Sequence, residues 1–84
     1  MFYVYLLKSK KDQKLYIGFT NDLKKRFIEH NGGLVKATKP RRPFEIIYYE
    51  AYKSIKDAKQ RESRLKKYSR AYHQLKTRIE NSLI

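Results

Sequence analysis

The chain has 84 residues, 21 Lys and Arg against 8 Asp and Glu, a formal net charge of +13, and no cysteine. That length predicts one small domain over residues 1–84 with one core. The missing thiols exclude a disulfide framework, a thiolate nucleophile and a thiolate metal site. No apolar run is long enough to span a bilayer, so the expectation is a soluble, cytoplasmic protein. The positive charge runs along the whole chain and is not a tail. A folded domain this basic points to a polyanionic partner, nucleic acid ahead of an anionic membrane, with a solvated basic surface that has no specific partner as the alternative.

Residues 2–7 (Phe-Tyr-Val-Tyr-Leu-Leu) and 15–20 (Leu-Tyr-Ile-Gly-Phe-Thr) are apolar, aromatic and β-branched. They predict the two strands of a β-hairpin. The polar turn between them lacks the Asn-Gly or Asp-Gly pair that would define its type. Pairing Phe2 with Phe19, Val4 with Ile17 and Leu6 with Leu15 makes one face of the ribbon wholly apolar. The same register sets Tyr5 against Tyr16, and Tyr3 against Gly18, on the other face. A slip of two residues keeps both phenols on one face; a slip of one separates them. Two readings follow: tyrosines packed in a core, or a pair of phenols beside a glycine that leaves room on their floor.

A helix is predicted next, over residues 23–31. Asp22 or Asn21 would cap its start, and Gly32-Gly33 would end it. Leu23 and Phe27 mark its buried stripe. Arg26 and His30, four apart, share a face at the edge of that stripe. Residues 34–43 cannot hold regular structure across Pro40 and Pro43, and predict a basic loop in which Arg41 and Arg42 could meet phosphates. Residues 44–52 predict a third strand.

Ser54 to Asp57 reads as a capping box opening a second helix. Its inward stripe would be Ile55, Ala58, Glu62, Leu65 and Ser69. Glu62 is the anomaly, because a carboxylate there is costly unless a cation or hydrogen bonds compensate. It either pairs with an arginine and fixes packing, or holds a divalent metal and acts in a site. After Ser69 a third helix carries Tyr72, Leu75, Ile79 and Leu83. The predicted fold is α/β: a three-stranded antiparallel sheet with three helices, in the order β-β-α-β-α-α.

Tyr3-Val4-Tyr5, then Tyr16-Ile17-Gly18, Arg26, His30 and a later helical Glu62 resemble the GIY-YIG nuclease domain. The second motif is intact, and the first has Tyr3 in place of its leading glycine. Asn31-Gly32-Gly33, Arg41-Arg42-Pro43, Tyr48-Tyr49-Glu50 and Lys66-Lys67-Tyr68-Ser69-Arg70 extend the likeness over essentially the whole chain. It is closest in character to small stand-alone bacterial members. The resemblance implies catalytic roles for Tyr5, Tyr16, Arg26, His30 and Glu62. Glu62 would bind the metal, Mg²⁺ or Mn²⁺. The family's polar asparagine on the last helix has no clear counterpart; Gln74 lies in the matching region.

Phosphodiester hydrolysis needs an activated water, stabilisation of charge in the transition state, and help for the leaving 3′ oxygen. A hard cation on Glu62 suits the last two tasks. Arg26 would grip the phosphate with its fork of donors. One tyrosine would take the water's proton, with His30 as a rival base. Arg41, Arg42, Arg64, Lys66 and Lys67 are the candidate nucleic-acid contacts. The expectation is a metal-dependent DNA endonuclease module, structure-specific and linked to DNA repair or recombination, with specificity supplied by DNA shape or a partner protein. The alternatives are a catalytically idle nucleic-acid-binding domain, for DNA or RNA, on the same fold, and a basic RNA- or ribosome-associated protein that stacks bases on its tyrosines.

Overall fold

A computed structural model describes residues 1–84. Its elements are β1 (Phe2–Ser9), β2 (Leu15–Thr20), α1 (Leu23–Asn31), β3 (Phe44–Tyr52), α2 (Ile55–Lys67) and α3 (Ser69–Arg78). This is the predicted order. The sheet is antiparallel in the order β2-β1-β3, so β1 is the central strand. No helix is long and apolar enough to cross a membrane.

Residues 4–7 of β1 are all buried, because both faces of the sheet are covered. On one face Val4 and Leu6 pack with Ala58, Leu65, Leu75 and Ile79 of the α2–α3 side. On the other, Tyr5, Leu7 and Phe44 pack with Tyr16, Leu23, Phe27 and Ile46. One core was the expectation; there are two clusters, one per face. An unbroken apolar run in β1 is what a strand covered twice requires.

The hairpin register also differs from the expected one. Tyr5 lies opposite Gly18, and Leu7 opposite Tyr16, a slip of two residues. Side chains keep their faces, because the strand period is two. The tertiary surroundings of the turn account for the slip. The Ser9 hydroxyl accepts the N–H groups of Lys11 and Asp12, at 3.1 and 3.2 Å. It donates to the carbonyl of Arg41 at 2.6 Å. Arg41 Nε in turn donates to Asp12 at 2.9 Å. The turn is thus shaped by a loop far along the chain, about which the hairpin's own pattern carries no information.

The α1 cap is as predicted: the Asp22 carboxylate accepts from Lys25 N at 3.1 Å. The α2 cap is not, since Ser54 makes no side-chain cap bond. Ile55 and Ser69 are exposed, so Ala58 and Leu65 carry the burial of α2. Residues 34–43 hold a short 3₁₀ turn, Lys39–Arg41, where an irregular loop was expected. Pro40 stands in its first turn, where no N–H is needed.

A carboxylate fastens β3 to α2. Glu50 accepts from Tyr48 at 2.6 Å, from Tyr52, and from Arg61 Nε and Nη2, each at 3.0 Å to its nearer oxygen. Arginine pairing, weighed for Glu62 from the sequence, belongs to Glu50.

Candidate active site

Both phenols stand on the same face of the sheet, the face covered by α1, and His30 of α1 lies between them. Ring centroids are 5.8 Å apart for Tyr5 and His30, and 5.2 Å for Tyr16 and His30, both edge-to-face. The Tyr5 hydroxyl and His30 Nε2 share a hydrogen bond of 2.8 Å. Gly18 makes this possible. A Cβ at residue 18 would stand 2.3 Å from both Cζ and the hydroxyl of Tyr5.

His30 is fully buried, as is Thr38, whose hydroxyl meets His30 Nδ1 at 2.7 Å. The end of α1 is pinned alongside. Asn31 Nδ2 donates to the carbonyl of Phe44 at 3.0 Å, and Phe44 N donates to Asn31 Oδ1 at 2.7 Å. The asparagine side chain thereby takes the place of a strand neighbour at the start of β3. Thr38 and Asn31 carry parts of the site's support that the sequence pattern did not assign. Thr38 offers no signal, being one hydroxyl in a basic loop; Asn31 had one, its place one residue after His30.

Burial pushes the Tyr5 phenol up to about 12. The Arg26 guanidinium beside it opposes that rise, and the charges of Tyr16 and Glu62 add to it. These four side chains therefore share one electrostatic neighbourhood, although Glu62 comes from a helix on the other face. Beside β2, Leu65 and Lys66 of α2 line a hollow with Leu15, Tyr16, Ile17 and Tyr72; Glu62 is not among its lining residues. Burial, with Arg26 adding to it and Glu29 opposing, pushes the His30 imidazole below its ordinary value. Burial thus favours the neutral ring.

Arg26 is held by Glu29, Nη1 to Oε1 at 3.3 Å. Glu62 is 22% exposed and accepts from Lys66 Nζ at 3.0 Å. No group of three or more His, Cys, Asp or Glu side chains gathers in the fold. A hard divalent cation on Glu62 would thus meet at most two such side chains and would need water or substrate phosphate to complete its shell. That donor set fits magnesium, which is commonly held by one or two carboxylates plus phosphates.

The five proposed nucleic-acid contacts divide. Arg41 is engaged inside the fold, by Asp12, by the carbonyl of Leu15 and by the ring of Phe44. Arg42 donates to the carbonyl of Lys39 and lies against Gly33. Lys66 is paired with Glu62, while Arg64 and Lys67 are exposed on α2. Gln74 is exposed on α3 and takes no part in the site's hydrogen bonds.

A hairpin that presents two tyrosines, with arginine and glutamate delivered by separate helices, has relatives. Residues 1–77 match the family model of the GIY-YIG catalytic domain, and the chain belongs to this nuclease family. Among individual proteins, a UPF0213 protein of Bacillus pumilus is 45% identical over 69 residues, covering 81% of this chain and 69% of its own. The UPF0213 protein CPE1444 of Clostridium perfringens is 44% identical over 71 residues, covering 83% and 75%. The solution NMR structure of the UPF0213 protein BH0048 from Bacillus halodurans has a TM-score of 0.59 and 35% identity. It covers 92% of this chain and 84% of that one.

Proposed function

We propose that the chain is a divalent-metal-dependent endonuclease module that hydrolyses phosphodiester bonds in DNA. The observation that carries this is the buried Tyr5–His30 hydrogen bond, with Arg26 beside the same phenol. Tyr5 has a neutral imidazole nitrogen ready for its own proton. In the reaction, Tyr5 takes a proton from the attacking water and passes its own to His30 Nε2. The water oxygen bonds to phosphorus as the bond to the 3′ oxygen breaks. A preformed phenolate is not required, which suits a phenol whose pKa is raised.

Arg26 binds the scissile phosphate through its forked donors and offsets the charge that grows on it. Tyr16 lines the hollow and orders the water. Glu62 would hold the cation, which when bound would supply charge neutralisation to the reaction. Lys66 leaves Glu62 for a phosphate when substrate arrives. Arg64 and Lys67 add sequence-independent contacts, so recognition rests on DNA shape, such as a branch, flap or nick, or on a partner protein. Such substrates suit a role in DNA repair or recombination, in the cytoplasm, and that is the role proposed.

The Lys66–Glu62 ion pair favours a second reading, a nucleic-acid-binding domain without catalysis, because it occupies the carboxylate that a cation would need. A cleavage panel separates the two. Branched, nicked, duplex and single-stranded substrates are incubated with Mg²⁺ or Mn²⁺, beside Glu62→Ala. Metal-dependent cleavage by the native chain, lost in the variant with DNA binding retained, is the expected result. Cleavage that survives in a variant preparation free of contaminating nuclease refutes the role of Glu62.

A further inference from the structure

Thr38 lies in the loop between α1 and β3, belongs to no motif, and has no exposed surface. Its Oγ1 is 2.7 Å from His30 Nδ1 and 3.4 Å from the carbonyl of Val35, to which it can donate. The backbone holds it in place: Thr38 N donates to Val35 O, and Arg41 N donates to Thr38 O. A neutral imidazole carries its proton on one nitrogen only, and the neighbours decide which.

With the proton on Nδ1, each side-chain hydrogen has an acceptor within the protein, although the Val35 carbonyl that takes the Thr38 hydroxyl also accepts Thr38 N and Lys39 N. Nδ1–H donates to Thr38, the Thr38 hydroxyl donates to Val35 O, and the Tyr5 hydroxyl donates to Nε2. With the proton on Nε2, the imidazole donates to Tyr5 and takes the Thr38 hydroxyl on Nδ1. The Tyr5 O–H then has no acceptor within the protein and must turn to water. Its only hydrogen-bonding partner of accepting character is His30, since Arg26 has donors alone. The Nδ1-protonated form therefore satisfies more of the protein's own donors.

We infer that Thr38 is a positioning residue: it holds His30 as the Nδ1-protonated tautomer and so keeps Nε2 open to the proton of Tyr5. The catalytic consequence rests on the nuclease reading above; the tautomer does not.

The test is ¹⁵N-histidine NMR on the full chain, with His73→Gln to remove the other histidine signal. The native chain is expected to show a protonated Nδ1 and an unprotonated Nε2. Thr38→Val, which keeps the side chain's branching but removes the hydroxyl, should shift population toward the Nε2-protonated form, and Thr38→Ser should restore the native pattern. In DNA cleavage, Thr38→Val should lower kcat about 10²-fold with KM nearly unchanged, again rescued by serine. A native chain with its proton on Nε2 overturns the proposal, and that measurement stands even where Thr38→Val fails to fold. An unchanged tautomer in a folded Thr38→Val overturns it too. The expected tautomers in a chain that cleaves nothing would uphold the positioning and remove the nuclease reading instead.

Discussion

Gly18 and Tyr5 face each other across the β1–β2 pair, and the phenol occupies the space that any side chain at residue 18 would need. The glycine of the second strand motif is therefore a condition for the placement of the tyrosine of the first. Gly18→Ala should push the Tyr5 ring away from His30. We expect the overpacking to cost roughly 1–3 kcal/mol in a urea melt. Cleavage should be lost while the sheet persists. Wild-type cleavage in this variant would mean that the Tyr5–His30 bond is dispensable.

The two tyrosines should not be equivalent. Tyr5 has an internal hydrogen-bond partner, His30 Nε2, which the proposed tautomer makes a proton acceptor. Tyr5→Phe should reduce kcat by about 10²–10⁴, the range of a lost acid–base group, and Tyr16→Phe by less. The reverse ranking, in single-turnover assays at saturating DNA, would give the base role to Tyr16.

Arg26→Lys keeps the charge but discards the fork. Loss of one stabilising donor costs about 10²–10³ in kcat at comparable sites. The DNA dissociation constant should change little, because Arg26 is one of many cations. An equal fall in affinity and rate would make it a binding residue only.

Glu50 should be a stability hub. Burial pushes its carboxyl up, but hydrogen bonds from Arg61, Tyr48 and Tyr52 outweigh this and hold it below its ordinary value of 4.5. A carboxylate depressed on folding contributes stability that is present above that value and lost as pH falls through the folded one. Removing hydrogen bonds to a charged group costs roughly 1.5–3 kcal/mol. Glu50→Gln should therefore be destabilised at pH 7, and the gap should narrow toward pH 3. Urea midpoints across that range measure it; a gap independent of pH would show that the charge is not what matters.

Arg41 and Arg64 should behave differently. Arg41→Ala removes the brace between the loop and the hairpin turn, and should lower the melting temperature. Arg64→Ala and Lys67→Ala should leave stability alone and weaken binding to all duplexes alike. Each should reduce the salt slope by about 0.9 for every phosphate no longer neutralised. Binding isotherms at several salt concentrations, beside thermal melts, check both.

The sequence alone determined the elements and their order, because strand alternation, the helical stripe and the Asp22 cap are local patterns with a fixed period. It also determined that Tyr5 and Tyr16 share a face, since only a one-residue slip could part them. The tertiary structure decided what local patterns do not encode. The register slipped by two because Arg41 and Asp12 shape the turn. The arginine-bound carboxylate proved to be Glu50, because the rotation of α2 against β3 points Arg61 there. His30 is a buried partner of Tyr5, and Thr38 sets its surroundings, because a loop with no motif folds back over the end of α1. Periodicity fixes which way a side chain points from its own element; which groups then meet depends on how the elements pack.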